Sequence, residues 1–227
     1  YTVWYIIIFK ASIGNKMPEI IIPGPEGRLE ARYHKADKPN SPICLILHPH
    51  PRQGGTMNNK LVYNTYQAFK KSNFSTLRFN FRGVGKSLGT YDNGIGELTD
   101  AAAALDWLQT ENPAAKATWI AGFSFGSWLA LQLLMRRPEI SGFVAISPPA
   151  SLYDFSFLAP CPASGLIIQG TEDKIVKEEH VSELVEKLNK QKNVTIEYKR
   201  IIGADHFFKK NLEDIQKKIT KYIEKNI

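Results

Sequence analysis

Between residues 43 and 201, short apolar runs alternate with longer stretches whose apolar residues recur at helical spacing. No other feature restricts the fold so strongly. An uninterrupted aliphatic run such as Ile43-Cys44-Leu45-Ile46-Leu47 suits a strand covered on both faces. Strands separated by helices of this length need crossover connections, hence a mostly parallel central sheet with helices on both faces. The pattern predicts strands over residues 19–22, 29–34, 43–47, 74–81, 117–122, 142–146, 165–169 and 194–201. It predicts helices over 58–71, 98–110, 125–137, 178–191 and 208–227. Pro23-Gly24-Pro25-Glu26-Gly27 reads as the turn of a hairpin joining the first two strands. No internal repeat, low-complexity stretch or linker to a second domain interrupts the series.

In an open sheet of this class, ligands sit beyond the carboxyl ends of the strands, so the loops there should carry the chemistry. Gly122-Phe123-Ser124-Phe125-Gly126 follows a strand and opens a helix. A turn sharp enough to lift a serine hydroxyl clear of the backbone leaves no room for Cβ atoms at its flanks, which explains both glycines. The helix then aims its N-terminal dipole and free N–H groups at charge developing on a substrate.

These residues resemble the nucleophile elbow of the α/β-hydrolase superfamily, and the resemblance runs from about Met17 to the C-terminus. That family orders its triad serine, acid, histidine. Gly170-Thr171-Glu172-Asp173-Lys174-Ile175-Val176 is similar to its acid loop, which makes Asp173 the expected acid with Glu172 as runner-up. Gly203-Ala204-Asp205-His206, after the last strand, supplies the expected base, His206. Asp205 is an alternative acid, but neighbouring loop side chains generally point apart. The resemblance implies an oxyanion hole made by the N–H of Phe125 and an N–H from His48-Pro49-His50-Pro51-Arg52-Gln53. His50 fits by position, with Arg52 or Gln53 behind it, since neither proline can donate. His48 and His50 could suggest a metal pair, but no third ligand is spaced to join them. Gly83-Val84-Gly85-Lys86-Ser87 imitates the end of a phosphate-binding loop, but its first glycine is missing because position 80 is Asn80.

The stretch 147–163, where relatives insert a lid domain, is short and contains prolines. It implies an open, lidless site. The chain is similar to small lidless bacterial hydrolases, including the dienelactone-hydrolase-like group, which often has cysteine in place of Ser124. The implied activity is hydrolysis of carboxylic esters of small or medium substrates, with no cofactor and no metal. Thioesters or short peptides would use the same residues, and a non-catalytic binding module on this fold is the reading from another class.

A chain of 227 residues, 43% hydrophobic and 22% charged, suits one soluble domain with a full core. The net charge of +7 invites a nucleic-acid reading. Much of that excess lies beyond Lys174, where Lys, Glu and apolar residues alternate as on a solvated helix face, and no nucleic-acid partner is expected. Cys44 and Cys161 form no spaced framework, and Cys44 reads as a small buried hydrophobe. Residues 1–9 are apolar but too few to span a bilayer, and no basic segment precedes them as in a signal peptide. A cytoplasmic protein with no membrane partner follows as the default expectation; the oligomeric state is left open. The domain pattern starts at Met17, so residues 1–16 are expected to be an extension outside the domain 17–227. A chain beginning at Met17 should keep its melting temperature and activity; aggregation or lost activity on truncation would show that the apolar run packs into the fold.

Overall fold

The computed structural model describes residues 19–227. The expected extension 1–16 lies outside the described residues. Eight strands form one sheet: β1 (Glu19–Gly24), β2 (Gly27–His34), β3 (Ile43–Leu47), β4 (Ser75–Phe79), β5 (Thr118–Phe123), β6 (Ile140–Ile146), β7 (Gly165–Gly170) and β8 (Ile196–Ile201). Their spatial order is β1-β2-β4-β3-β5-β6-β7-β8. The β1–β2 hairpin and the β2–β4 pair are antiparallel; every pair from β4 to β8 is parallel.

The helices are α1 (Lys60–Lys71), α2 (Ile95–Thr110), α3 (Phe125–Leu134), α4 (Glu178–Asn189) and α5 (Leu212–Asn226). They cover the sheet on both faces. Ile43, Leu45, Leu47, Ile120, Phe143 and Ile167 point into one apolar cluster with α2, α3 and α4. Cys44, Ile46, Trp119, Ala121, Val144 and Ile168 point into the other with α1 and α5. This double coverage is why the strands read as unbroken apolar runs. Cys44 and Cys161 are both buried, form no disulfide and belong to opposite clusters. No helix among the described residues is long and apolar enough to cross a membrane. Residues 147–164 hold no helix or strand, so no lid domain is inserted between β6 and β7.

Two helix starts differ from the periodicity by three residues or more. The helix expected from residue 98 starts at Ile95, because the Glu97 carboxylate accepts from the N–H groups of Asp92 and Gly94 (2.9 and 2.8 Å) and so caps an earlier turn. The helix expected from residue 208 starts at Leu212, because Phe208 has φ 50° and cannot belong to a right-handed helix.

The phosphate-loop look-alike is a structural knot. Gly85, at φ 57°, passes so close to Glu30 and Asn80 that a Cβ would collide with both side chains. Glu30 Oε2 accepts from Lys86 N–H and Asn80 Nδ2 (both 2.8 Å), while Ser87 Oγ accepts from Glu30 N–H and donates to Asn80 O. Asn80 Oδ1 in turn accepts from Met57 N–H at 2.8 Å. The turn is thus closed against β2.

Next to it, Arg82 forms a forked pair with buried Asp100, Nη2 to Oδ1 at 2.8 Å and Nε to Oδ2 at 3.0 Å. Gly96 leaves room for that guanidinium. Removing one member of a buried pair leaves the other charge uncompensated. Asp100→Ala should therefore cost about 3–5 kcal/mol of folding stability by urea denaturation. A loss below about 1 kcal/mol would mean that solvent already screens the pair.

Candidate active site

Ser124 lies between the last residue of β5 and the first turn of α3 with φ 53° and ψ −122°, a strained backbone for a residue with a Cβ. Its own bonds hold it there. Ser124 N–H donates to Ile146 O at 2.8 Å, and Ser124 O accepts from Ser127 N–H at 2.8 Å and Ser127 Oγ at 2.6 Å. A Cβ on Gly122 would strike the Gly126 backbone, and one on Gly126 would lie 2.5 Å from the carbonyl oxygens of Leu47 and His48. The glycines are therefore needed for close approach, and the second one brings the exit of β3 against the elbow.

The other two loops meet the serine. His206 Nε2 is 3.1 Å from Ser124 Oγ, and His206 Nδ1 is 2.7 Å from Asp173 Oδ2. The Asp173 side chain is completely shielded from solvent. Burial alone would raise its pKa, but the His206 hydrogen bond and the N–H groups of Val176 and Ile175 outweigh it and hold the carboxyl below its usual range. An ionised carboxylate only accepts, so Nδ1 carries the imidazole proton and Nε2 is left to accept from the serine. Gly170 has no room for a Cβ against Ala204 O, which lets the histidine loop lie across the end of β7. Glu172 N–H to Ala204 O (3.0 Å) and Gly203 N–H to Thr171 Oγ1 (2.9 Å) tie the acid and histidine loops together. The alternatives lie elsewhere. Asp205 Oδ1 accepts from Lys209 N–H, and Glu172 is exposed.

Phe125 opens α3, so its N–H has no acceptor within the helix. The His50 ring packs on the Phe125 ring with centroids 4.8 Å apart. Among the described residues the His50 N–H donates to no backbone carbonyl. His50 caps a short 3-10 turn (Pro51–Gln53): its Nδ1 accepts from Arg52 N–H at 3.2 Å. Burial holds the ring below the ordinary histidine pKa, so the neutral ring carries its proton on Nε2 and donates to the Tyr91 hydroxyl at 3.1 Å.

Tyr91 was not singled out from the sequence, and nothing local marks it. Its ring meets those of His50 and Phe125 because the knotted β4–α2 loop delivers it there. Tyr153 and Trp128, stacked at 4.3 Å, extend the aromatic wall beside Phe125. A groove of about 310 Å³ between residues 150–159 and α4 shares Tyr153 with that wall, and none of Ser124, Asp173 or His206 lines it.

His48 is structural. Completely buried, it donates from Nδ1 to Pro49 O (2.7 Å) and accepts at Nε2 from Phe81 N–H (3.1 Å). With both nitrogens engaged, it has none left for a metal. Among the described residues no three His, Cys, Asp or Glu side chains converge as metal ligands.

A mostly parallel sheet with a strained serine at the end of β5, in contact with an Asp-bound histidine, defines an α/β hydrolase of the serine type. The comparisons agree. Residues 20–164 match the profile of the family described as X-Pro dipeptidyl-peptidase (S15 family). That stretch contains Ser124 and stops before Asp173 and His206. The uncharacterized protein RP471 of Rickettsia prowazekii (strain Madrid E) is 56% identical over 211 residues, spanning 91% of this chain and 89% of its own. A protein of unknown function from Agrobacterium tumefaciens, ATU1826, assigned provisionally to the α/β hydrolases, superposes with a TM-score of 0.89 at 52% identity, covering 92% of this chain and 95% of that one. XC6422 from Xanthomonas campestris, a serine hydrolase without a lid, gives a TM-score of 0.82 at 30% identity, covering 95% and 97%. The chain belongs to the S15 family within the α/β-hydrolase superfamily.

His48 also yields a prediction about acid stability. Burial lowers its pKa from 6.5 to about 4. The unfolded chain takes up this proton as pH falls through 6.5 and the folded chain only near 4. The contribution is therefore complete above pH 6.5 and lost between 6.5 and 4, roughly 3 kcal/mol in all. His48→Gln, whose Oε1 can stand in for Nε2 as acceptor for Phe81 N–H, should start out less stable at pH 7.5 but lose roughly 2–3 kcal/mol less on going to pH 4.5. Chemical denaturation at both pH values checks this; equal losses would contradict it.

Proposed function

We propose that the protein hydrolyses carboxylic esters of small or medium substrates through an acyl-enzyme on Ser124. The observation that carries this reading is the continuous hydrogen-bonded chain from Ser124 Oγ through His206 to Asp173. His206 Nε2 accepts the serine proton as Oγ attacks the ester carbonyl. Asp173 stabilises the imidazolium and keeps Nδ1 protonated. The N–H groups of Phe125 and His50 receive the oxyanion. The tetrahedral intermediate collapses, the C–O bond to the alcohol breaks, and His206 returns the proton to the departing alkoxide. Water then repeats the sequence on the acyl-enzyme, releasing the acid and restoring Ser124.

The open strand ends suit substrates that extend past the site, and the groove beside Tyr153 offers room for their remote portion. A peptidase reading is the second one, favoured by the family match over residues 20–164. It uses the same residues with an amine as leaving group. A non-catalytic binding role would leave the strained serine and its bonded histidine without a purpose.

A panel of p-nitrophenyl esters, acyl thioesters and an X-Pro anilide separates these readings. The largest kcat/KM is expected on esters; a larger value on the anilide would transfer the assignment to peptidase, and no turnover on any of them would favour the binding role. Within the active protein, Asp173→Asn should reduce kcat on the order of 10⁴-fold. Asp205→Asn should cost less than about tenfold, since that carboxylate faces the Lys209 backbone. Kinetics in the reverse order would move the orienting role to Asp205.

A further inference from the structure

Asp173 is bonded more fully than a carboxylate that merely faces an imidazole. Oδ1 accepts from the N–H groups of Ile175 (2.9 Å) and Val176 (2.8 Å). Oδ2 accepts from His206 Nδ1 at 2.7 Å and also from the side-chain amide of Gln169 at 3.0 Å. Gln169 is the penultimate residue of β7, fully buried in a strand otherwise made of glycine, leucine and isoleucine.

The orientation of that amide is decided by chemistry. Its nitrogen faces Val176 O at 2.7 Å, Asp173 Oδ2 at 3.0 Å and Gly170 O at 3.4 Å, all of them acceptors. Turning the amide over would set its oxygen against three oxygens. As placed, Gln169 Oε1 is buried without a hydrogen-bond partner among the described residues. A buried, unsatisfied carbonyl costs stability, so the residue is poorly explained as packing. An aliphatic side chain would remove that penalty but leave Val176 O and Asp173 Oδ2 each one donor short.

We propose that Gln169 is a positioning residue for the reaction: it shares Oδ2 with His206, holds that oxygen in line with the imidazole, and tempers its negative charge. This rests on the Ser124–His206–Asp173 reading above. One amide hydrogen holds the carboxylate and the other holds the Val176 carbonyl, so Gln169 fastens both sides of the turn from which Asp173 projects. Without it, Oδ2 would answer to His206 alone, and the more concentrated charge would favour the imidazolium.

Gln169 is the neutral, buried member of this surround. Glu172 and Lys174 flank Asp173 and are exposed. Asp205, beside His206, is taken up by Lys209 N–H, and Glu178 on α4 accepts from the Tyr198 hydroxyl at 2.7 Å. The Ser124 hydroxyl and the Phe123 ring face the imidazole from the elbow.

The test is the pH profile of ester hydrolysis by Gln169→Met, which nearly keeps the volume and removes the donor. Gln169→Leu serves as a second variant, and thermal melts establish that each is folded. The acid limb of kcat/KM reports the histidine of the free enzyme. Its midpoint should rise by about half a pH or more, with kcat down roughly tenfold and KM within about twofold of wild type. A midpoint that stays at the wild-type value in the folded variants, whether or not activity falls, overturns the proposal and leaves Gln169 a structural residue. Ser124→Ala, measured in parallel, separates the two levels of the argument. Turnover that persists without Ser124 would bring down the triad reading and this inference with it. Ser124-dependent turnover with an unmoved midpoint would bring down the role of Gln169 alone.

Discussion

The close approach of α3 to the ends of β3 and β5 is the constraint on which the site depends. It forces glycine at positions 122 and 126 and holds Ser124 at a positive φ. Strain of this kind costs about 1–3 kcal/mol and persists only where neighbours over-determine the backbone. Here the bond to Ile146 O fixes the serine from β6, and Ser127 fixes it from within α3. The same approach puts the His50 ring on Phe125, so Ser124 and the proposed oxyanion loop are placed by one contact rather than by two independent adjustments.

Around that contact, loops that are far apart in the chain are tied to one another before they are tied to a substrate. The exits of β3 and β4 are joined through neutral His48, and those of β7 and β8 through the Ala204 and Thr171 bonds. The buried Arg82–Asp100 pair and the Glu97 cap fix the path between β4 and α2, which carries Tyr91 to His50. Most of the polar groups buried near the strand ends therefore serve to hold backbone in place. The proposed chemistry falls to the few side chains left facing the opening.

What the sequence disclosed follows from which constraints are local. The strands are legible because burial on both faces leaves a continuous aliphatic signature, as in Ile43–Leu47. The elbow is legible because a sharp strand-to-helix turn demands small flanks around one serine. Asp173 and His206, which the structure brings to Ser124, could be singled out because chain order in the resembled family places them after particular strands. Tyr91 could not, since its position results from contacts among Glu30, Asn80, Arg82 and Asp100 across the fold. Gln169 leaves a trace in the sequence, a lone amide in the otherwise apolar Gly165–Gly170 run. The starts of α2 and α5 depart from the hydrophobic spacing because a capping carboxylate and a positive φ at Phe208 override it.

The central claim is that the geometry at Ser124 makes its hydroxyl a nucleophile. It is tested most directly by treating the folded protein with a fluorophosphonate and locating the adduct by intact-mass and peptide mass spectrometry. The account predicts one equivalent of label, carried by Ser124, with labelling slowed severely in His206→Ala. Label on another residue, or none on protein shown to be folded, would contradict it.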